Sequence, residues 1–294
     1  MAEYIAVFLE KLHQKGKAKL TIQAYQQDLL QLLGVINYLK LDVGSLERNH
    51  ILYALKQLSA KGQSPKSIAR HLSAWRQFCA FLVEESILEY NPCQGVKPPK
   101  LPNRLPKALT VENTQLLLDN VQSHNVLEVR DKAIFELMYS SGLRLSEVTH
   151  LDIHDLSFSE GIVKVLGKGS KERIVPVGQT ALTALKNYLV VRAGSETQKA
   201  LFTSRLGSRL SNRQIQNRLV RWSELAGSDR RVTPHMFRHS FASHMLQESG
   251  DLRAVQELLG HSNLNTTQIY TSLDFKHLAT IYDQAHPRAK RKQK

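Results

Sequence analysis

Apolar residues recur every three or four positions along the N-terminal third of the chain. This period places the apolar side chains of each stretch on one face of a helix. The fourth stretch opens at Ser64 and Pro65, a cap followed by a proline suited to the first helical turn. The pattern predicts a small helical bundle over residues 1–90, with Trp75 in its core. The four stretches are Ile5, Phe8, Leu9 and Leu12; Tyr25, Leu29 and Leu33; Ile51, Leu55 and Leu58; and Ile68, Leu72, Trp75, Cys79 and Leu82.

The pattern changes in the second part of the chain. Helical spacing predicts helices at residues 111–120 and 128–139. Two β-branched runs, 161–166 and 173–177, flank a turn rich in glycine and lysine, which predicts a β-hairpin. The rest returns to helical spacing. The expected fold is therefore mainly α with a small β-sheet, built as a helical bundle followed by an α+β domain at residues 108–294.

Between the two predicted domains lies a proline-rich segment. Five of the nine prolines fall between Asn91 and Lys107. Prolines lack a backbone donor and disfavour helix at the preceding residue, so we expect residues 91–107 to be a linker. Lys97, Lys100 and Arg104 make it basic. They suit a path along a phosphate backbone, although a solvated basic spacer would have the same composition.

Charge points to a polyanionic partner. The chain carries 40 Lys and Arg against 26 Asp and Glu, a formal net charge of +14. Such an excess attracts nucleic acid over long range, so duplex DNA is the first partner to consider. Lys66, Arg70 and Arg76 on the predicted fourth helix are candidates to contact DNA phosphates, while a solvated basic face is the alternative.

Other classes of protein are disfavoured by the sequence. Cys79 and Cys93 are the only cysteines, too few for a disulfide framework, which suits a reducing cytoplasm. The N-terminus alternates apolar and charged residues, so we expect neither a signal peptide nor a membrane span. His235 and His239 have a spacing that can chelate zinc, but the glutamate of a zinc protease is missing. We therefore expect no metal and no nucleotide cofactor, and we interpret His239 and His244 as packing residues.

Three segments carry candidate chemistry. His235 and Arg238 lie one turn apart near the start of a predicted helix, where free amides and the helix dipole favour anions. Lys168 lies at the tip of the predicted hairpin, from which it could donate a proton to a leaving oxygen. A capped helix over residues 251–260 is followed at once by His261, and Tyr270 comes nine residues later. Taken singly, His235 and Arg238 could equally be an exposed pair without a role, Lys168 could serve the solubility of the turn, and Tyr270 is better interpreted as a packing residue.

Together these segments resemble the tyrosine recombinases, and the resemblance covers essentially the whole chain. In that family the linker joins a SAM-like core-binding domain to the catalytic domain. The matching motifs are Gly142-Leu-Arg-Leu-Ser-Glu147, Gly167-Lys-Gly169, His235-Met-Phe-Arg238, Leu259-Gly-His261 and Gln268-Ile-Tyr270.

The resemblance implies a mechanism that needs neither ATP nor metal. Tyr270 would attack a DNA phosphate and form a 3′-phosphotyrosyl link, which stores the bond energy for rejoining. The other implied roles are a phosphate clamp made by Arg144 and Arg238, proton transfer by His235, a phosphate hydrogen bond from His261, protonation of the leaving 5′ oxygen by Lys168, and orientation of Arg144 by Glu147.

The C-terminal segment resembles the family's tail that docks on a neighbouring protomer. Its apolar residues Leu273, Phe275, Leu278 and Ile281 would form that contact, and packing on their own domain is the alternative. Residues 167–173, 249–253, 273–278 and 285–290 are similar to the bacterial members that resolve chromosome dimers.

This finer likeness implies specific partners. A homologous second recombinase would complete a heterotetrameric synapse, and a DNA translocase would regulate it. Three alternatives stay open: a phage or mobile-element integrase, a relaxase of the type IB topoisomerase kind, and a DNA-binding protein of the same fold that does not cleave.

Overall fold

The computed structural model describes residues 1–100, 108–122, 125–167, 172–194, 198–260 and 272–289, without the side chains of residues 272–276. Arg104, Lys168, His261 and Tyr270 lie outside these residues, as do the side chains of Leu273 and Phe275. The chain divides into two compact units, Met1–Arg104 and Leu105–Lys294. The predicted fold class, mainly helical with a small sheet, is confirmed.

Within residues 1–100, helices build the N-terminal unit around one apolar core. They are α1 (Ala2–Gln14), α2 (Lys19–Tyr38), α3 (Arg48–Ala60) and α4 (Pro65–Glu84). Helix α4 begins as predicted, because the Ser64 hydroxyl accepts a hydrogen bond from the Ser67 amide at 3.2 Å. Trp75 is fully buried, and its indole N–H donates to the carbonyl of Asp28 at 2.7 Å.

The buried face of α2 differs from the predicted one. The spacing of Tyr25, Leu29 and Leu33 predicted this face, yet Tyr25 and Leu33 are only half-buried. The residues that reach the core are Asp28, Leu29, Leu32 and Ile36. The pattern of apolar residues missed this shift because Asp28 is an acid in a buried position.

The predicted linker begins later than residue 91. Cys93 and Val96 are buried in the core of the helical unit. The Asn91 side-chain amide donates to the carbonyl of Arg76 at 3.0 Å, and the Arg76 guanidinium donates to the carbonyl of Val96 at 2.9 Å. Residues 91–96 therefore pack against α4, because two apolar side chains between the prolines anchor them.

The second unit combines helices with one short sheet. Its central helix, α6, is buried on almost every side, and α8, α9 and α10 pack around it. The helices of this unit are α5 (Val111–Asp119), α6 (Val126–Ser140), α7 (Leu145–His150), α8 (Gln179–Val191), α9 (Asn212–Leu225), α10 (Pro234–Ser249), α11 (Leu252–Leu259) and α12 (Ser272–Ala285).

The sheet is antiparallel, in the order β1 (Leu156–Ser157), β2 (Ile162–Leu166), β3 (Glu172–Pro176). Strands β2 and β3 are the predicted hairpin arms, whereas β1 is only two residues long and was not predicted. Val163 pairs with Val175, and Val165 pairs with Arg173. Alternate residues of β3 face inward, so Arg173 and Val175 point to the same buried side. In the part of the chain described by the structure, no helix has the length and apolar character needed to cross a membrane.

Candidate active site

Arg144 follows a tight turn at the end of α6. Gly142 in this turn has a left-handed backbone (φ +56°), and a Cβ there would come within 2.5 Å of the Phe241 ring, so only glycine fits. Arg144 then caps α7. Its backbone N–H donates to Glu147 Oε2 at 2.8 Å, and its Nη1 donates to Glu147 Oε1 at 2.8 Å. The buried carboxylate thus holds both the main chain and the side chain of Arg144, whose side chain is 35% exposed.

Arg173 of β3 binds the same carboxylate. Its Nη1 and Nη2 donate to Oε1 and Oε2 of Glu147 at 2.8 and 2.9 Å. Its Nε donates to the carbonyl of Leu258 at 3.3 Å, and the residue is 7% exposed. Sequence analysis missed Arg173. The two-residue period of β3 was the available signal, because it places residue 173 on the same buried face as Val175.

Arg238, on α10, lies at the same site as Arg144 and Arg173. Its Nη1 donates to the carbonyl of Gly142 at 2.7 Å, and its Nη2 donates to the carbonyl of Leu259 at 2.6 Å. His235 is exposed one turn earlier, in the first turn of the same helix. The structure therefore brings Arg238 together with Arg144 and leaves His235 accessible beside the helix N-terminus.

The other two histidines of α10 differ from each other. His244 is buried between the Tyr139 hydroxyl and the carbonyl of Leu109, each 2.9 Å from one of its ring nitrogens. It is a packing residue, as predicted. His239 is exposed, so the packing interpretation was wrong for this residue. The helical period explains the difference, since the two positions are five residues apart and face different sides of α10.

The C-terminal turn of α11 is the point where the three arginines meet. A helix end leaves its last carbonyl oxygens without partners in the helix, and its dipole favours cations there. The carbonyls of Leu258 and Leu259 accept from Arg173 and Arg238 as described, and that of Gly260 accepts from Arg144 Nη2 at 3.5 Å. Gly260 ends the helix with a left-handed backbone (φ +66°). The next residue in the sequence is His261.

Positive charge exceeds negative charge at this cluster. Among the described residues it contains three guanidiniums and the carboxylate of Glu147. Burial opposes the charged form of Glu147, but hydrogen bonds from Arg173 and Arg144 outweigh it and lower the pKa of the carboxyl group. Burial, and next the charge of Arg144, lower the pKa of Arg238 to about 10, so this arginine stays charged at neutral pH. Such an arrangement can bind an oxyanion such as a DNA phosphate.

The predicted DNA-contacting residues of the N-terminal unit fall into two groups. Lys66, Lys97 and Lys100 are exposed. Arg70 is also exposed, but its Nη1 lies 2.7 Å from Oδ2 of the buried Asp28. Arg76 uses its guanidinium to hold the carbonyls of Cys93 and Val96, so its contacts within the chain are structural.

The C-terminal segment packs on its own unit in this structure. Leu278 is buried and Ile281 half-buried against the core of residues 108–289, although we expected both to contact a neighbouring protomer. Arg288, the first residue of the basic run 288–294 in the sequence, is also buried. Its Nε donates to Glu136 Oε2 at 3.0 Å, and its Nη2 donates to Asp119 Oδ1 at 2.9 Å. The carboxylates that neutralise Arg288 lie far away in the sequence, so the tail composition could not reveal them.

In the described ranges there is no group of three or more His, Cys, Asp or Glu side chains placed to hold a metal ion.

Comparison with known proteins gives consistent matches along the chain. Residues 107–277 match the Phage integrase family, and residues 5–86 match the N-terminal SAM-like domain of phage integrases. The tyrosine recombinase XerC of Neisseria meningitidis serogroup B is 48% identical over 99% of this chain and 97% of that protein. XerC of Chromobacterium violaceum is 48% identical over 100% of this chain and 98% of its own length.

A solved structure shares the fold. The XerH site-specific recombinase, in a post-cleavage complex with a palindromic difH substrate, superposes with a TM-score of 0.71. It is 24% identical in sequence, and the match covers 94% of this chain and 83% of that one.

Proposed function

The chain belongs to the phage integrase family and is a tyrosine recombinase, and we propose that its nucleophile is Tyr270, acting on a phosphate held by Arg144 and Arg238. The observation that carries this assignment is the meeting of these two arginines at the end of α11, directly before His261 in the sequence. Arg144 keeps a third of its side chain exposed there. A guanidinium in this setting can neutralise the charge that develops on nonbridging phosphate oxygens.

The reaction exchanges one phosphate ester for another. The phenolic oxygen of Tyr270 bonds to phosphorus, and the bond from phosphorus to the 5′ oxygen breaks, which leaves a 3′-phosphotyrosyl link. The phenol has a pKa of about 10 in water, so its proton must be taken up during attack, with His235 assisting. Lys168 donates a proton to the departing 5′ oxygen, and His261 hydrogen-bonds the phosphate. Attack by the 5′ hydroxyl of a partner strand then reverses these steps, so no ATP is consumed.

We further propose the biological setting that the full-length likeness to XerC proteins supports. The protein acts in the cytoplasm with a second, XerD-like recombinase in a heterotetrameric synapse, and it resolves chromosome dimers at dif-type sites during cell division. An FtsK-like DNA translocase regulates the pair. The alternative is a phage or mobile-element integrase with the same chemistry and different target sites.

A suicide DNA substrate tests the catalytic assignment, because cleavage beside its nick releases a short fragment that carries the free 5′ hydroxyl, and the covalent adduct is then trapped. The wild-type protein forms the adduct, and Tyr270→Phe forms none while binding DNA with the same Kd. Absence of an adduct with wild-type protein, or its persistence in Tyr270→Phe, overturns the assignment.

A strand-exchange assay tests the narrower role. We expect exchange at a dif-type site only when a XerD-like partner is added. Complete exchange of both strand pairs by this protein alone favours the integrase alternative, and footprinting on genomic fragments then identifies its target sites.

A further inference from the structure

Arg173 is the buried member of the arginine cluster. Its three guanidinium nitrogens all donate within the protein, two to Glu147 and one to the carbonyl of Leu258. Only 7% of the residue is exposed. A side chain enclosed in this way has little surface left for a bound DNA strand, so any role in catalysis must pass through its neighbours.

The first neighbour is Glu147, which Arg173 and Arg144 share. Oε1 accepts from the Nη1 atoms of both arginines, at 2.8 Å in each case. Oε2 accepts from the Arg144 backbone and from Arg173 Nη2. The bidentate contact from Arg173 fixes the plane of the carboxylate, because a guanidinium and a carboxylate joined by two hydrogen bonds lie nearly in one plane. That plane in turn sets the direction from which Arg144 is held.

The second neighbour is the C-terminal turn of α11. A Cβ at Gly260 would lie 3.1 to 3.3 Å from the side-chain atoms of Arg173, tighter than ordinary contact. The Arg173 side chain therefore packs directly against the turn whose next carbonyls receive Arg238 and Arg144. Arg144 is thus held at two points, Glu147 and Gly260, and Arg173 touches both.

We propose that Arg173 is a positioning residue for DNA cleavage, which fixes the guanidinium of Arg144 by holding Glu147 and the last turn of α11 in one arrangement. This inference rests on the proposed function and adds a residue to its machinery. Displacement of a clamping group by about 1 Å costs on the order of 10²-fold in rate. A lysine at position 173 keeps the positive charge but has no planar fork to hold both carboxylate oxygens.

The first test compares Arg173→Lys with Arg144→Gln in single-turnover cleavage of the suicide substrate. We expect Arg173→Lys to cleave about 10²-fold more slowly, with the Kd for DNA within about threefold of wild type. If Arg173 acts only through Arg144, the double variant is no slower than Arg144→Gln alone. If Arg173 merely supports folding, the cleavage-rate losses of the two single variants multiply in the double variant.

Arg130→Lys is the matched control for this test. Arg130 is also buried in the same unit, beside the carboxylate of Asp131 and the carbonyl of Thr203. We expect this variant to lose stability comparably while the folded protein keeps wild-type cleavage. Equal cleavage losses in Arg130→Lys and Arg173→Lys overturn the proposal.

Gly260→Ala tests the same idea without changing Arg173, should Arg173→Lys fail to fold. Its methyl group presses on the Arg173 side chain and also meets the strain of a left-handed backbone. Gly250 is the matched control, because it ends α10 with a similar φ of +65° and a Cβ there meets no described atom within 4 Å. We expect Gly260→Ala, and not Gly250→Ala, to slow cleavage at least tenfold, without further loss when combined with Arg144→Gln.

The outcomes separate the two levels of inference. If the wild-type protein forms no adduct, the proposed function fails before any variant is compared. Other outcomes overturn the positioning role alone, provided that wild type cleaves and Arg144→Gln is slow. They are a wild-type cleavage rate in Arg173→Lys, rate losses that multiply when Arg173→Lys is combined with Arg144→Gln, and equal cleavage rates in Gly260→Ala and Gly250→Ala.

Discussion

Two arginine clusters of the second unit use the same chemical groups in opposite proportions. In the C-terminal anchor, formed by Arg288, Glu136 and Asp119, one guanidinium lies between two carboxylates. In the arginine site, formed by Arg144, Arg173, Arg238 and Glu147, three guanidiniums share one carboxylate among the described residues. The remaining hydrogen-bond partners of these arginines are the backbone carbonyls of the α11 turn and of Gly142.

The proportion decides what each cluster can do. Burial opposes the charge of Arg288, but Asp119 and Glu136 outweigh it and raise the pKa of its guanidinium. Burial and the neighbouring Arg144 have the opposite effect on the pKa of Arg238. In the anchor the two carboxylates neutralise the one guanidinium, so this cluster has no positive charge left for an anion from outside. A cluster in which cations outnumber carboxylates can bind an anion from outside, and in the proposed function that anion is a DNA phosphate.

The largest effect is expected from Arg288→Met in the anchor. It leaves the carboxylate of Glu136, which is fully buried, without its main cation. Removing one partner of a buried ion pair typically costs about 3–5 kcal/mol of unfolding free energy. Urea unfolding at pH 7 measures this, with Arg253→Met as the control, because Arg253 is 71% exposed in its pair with Glu257 and such pairs contribute less than about 1 kcal/mol. Equal losses in the two variants contradict the structural role of the anchor.

Arg144→Gln is expected to affect the reaction instead of the fold. Glu147 keeps both hydrogen bonds from Arg173, so no buried carboxylate is left without a cation and the unfolding free energy falls by less than about 1.5 kcal/mol. Loss of one group that stabilises the transition-state charge slows cleavage about 10²- to 10³-fold. Single-turnover adduct formation and urea unfolding, measured on the same preparation, check both statements. The comparison is contradicted if Arg144→Gln loses much of its unfolding free energy but cleaves at the wild-type rate when folded.

Local patterns predicted where helices begin and how side chains are spaced along them, and they failed where the partner is distant in the sequence. Ser64 and Pro65 marked the start of α4, and the three-residue separation along a helix placed Arg238 one turn after His235. In contrast, Arg288 reads as part of a basic tail because Glu136 lies 152 residues before it. Local sequence carries no information about such a pairing, since the fold alone brings the two side chains together.

Arg173 illustrates a second limit of sequence reasoning. Strand periodicity puts it on the buried face with Val175, but a buried position does not reveal which carboxylate pairs with it. Asp28 on α2 is the reverse case, because its buried position was hidden by its charge. Its partners Arg70 and His71 come from α4. In both cases the missing fact is a contact between elements, which no period along the chain encodes.

A smaller effect is expected from the pH at His286, whose Nδ1 accepts a hydrogen bond from the Arg288 backbone beside the anchor. Burial first, and then the charges of His244 and Arg288, lower the pKa of His286 to about 3. An unfolded histidine has a pKa of about 6.5. Between these values the unfolded chain binds a proton that the folded protein does not, so stability is lost as the pH falls below about 6.5. One pH unit below that value the loss from this residue is about 1.4 kcal/mol.

His286→Phe isolates this contribution. Phenylalanine keeps the ring that stacks on Tyr282 and cannot be protonated. The drop in unfolding free energy between pH 7.5 and 5.5 is expected to be about 1.4 kcal/mol smaller in the variant than in wild type, whatever the other histidines contribute to both. Identical drops in the two proteins mean that His286 does not stay neutral when the protein folds.

The smallest net effect on stability is expected when both buried members of the anchor are replaced, with Glu136→Leu and Arg288→Met together. Apolar residues of similar size often replace a buried ion pair without loss, and Asp119 is 55% exposed, so water can solvate it. The unfolding free energy of the double variant should lie within about 1 kcal/mol of wild type, far above that of Arg288→Met alone.

The matched replacement at the arginine site, Glu147→Leu with Arg173→Met, should likewise recover much of the stability lost by either single change. Its cleavage should stay low, because Arg144 has then lost its carboxylate. Full cleavage by that double variant, measured with the suicide substrate, would show that the arginine site is as replaceable as the anchor and that the proportion of charges does not separate them.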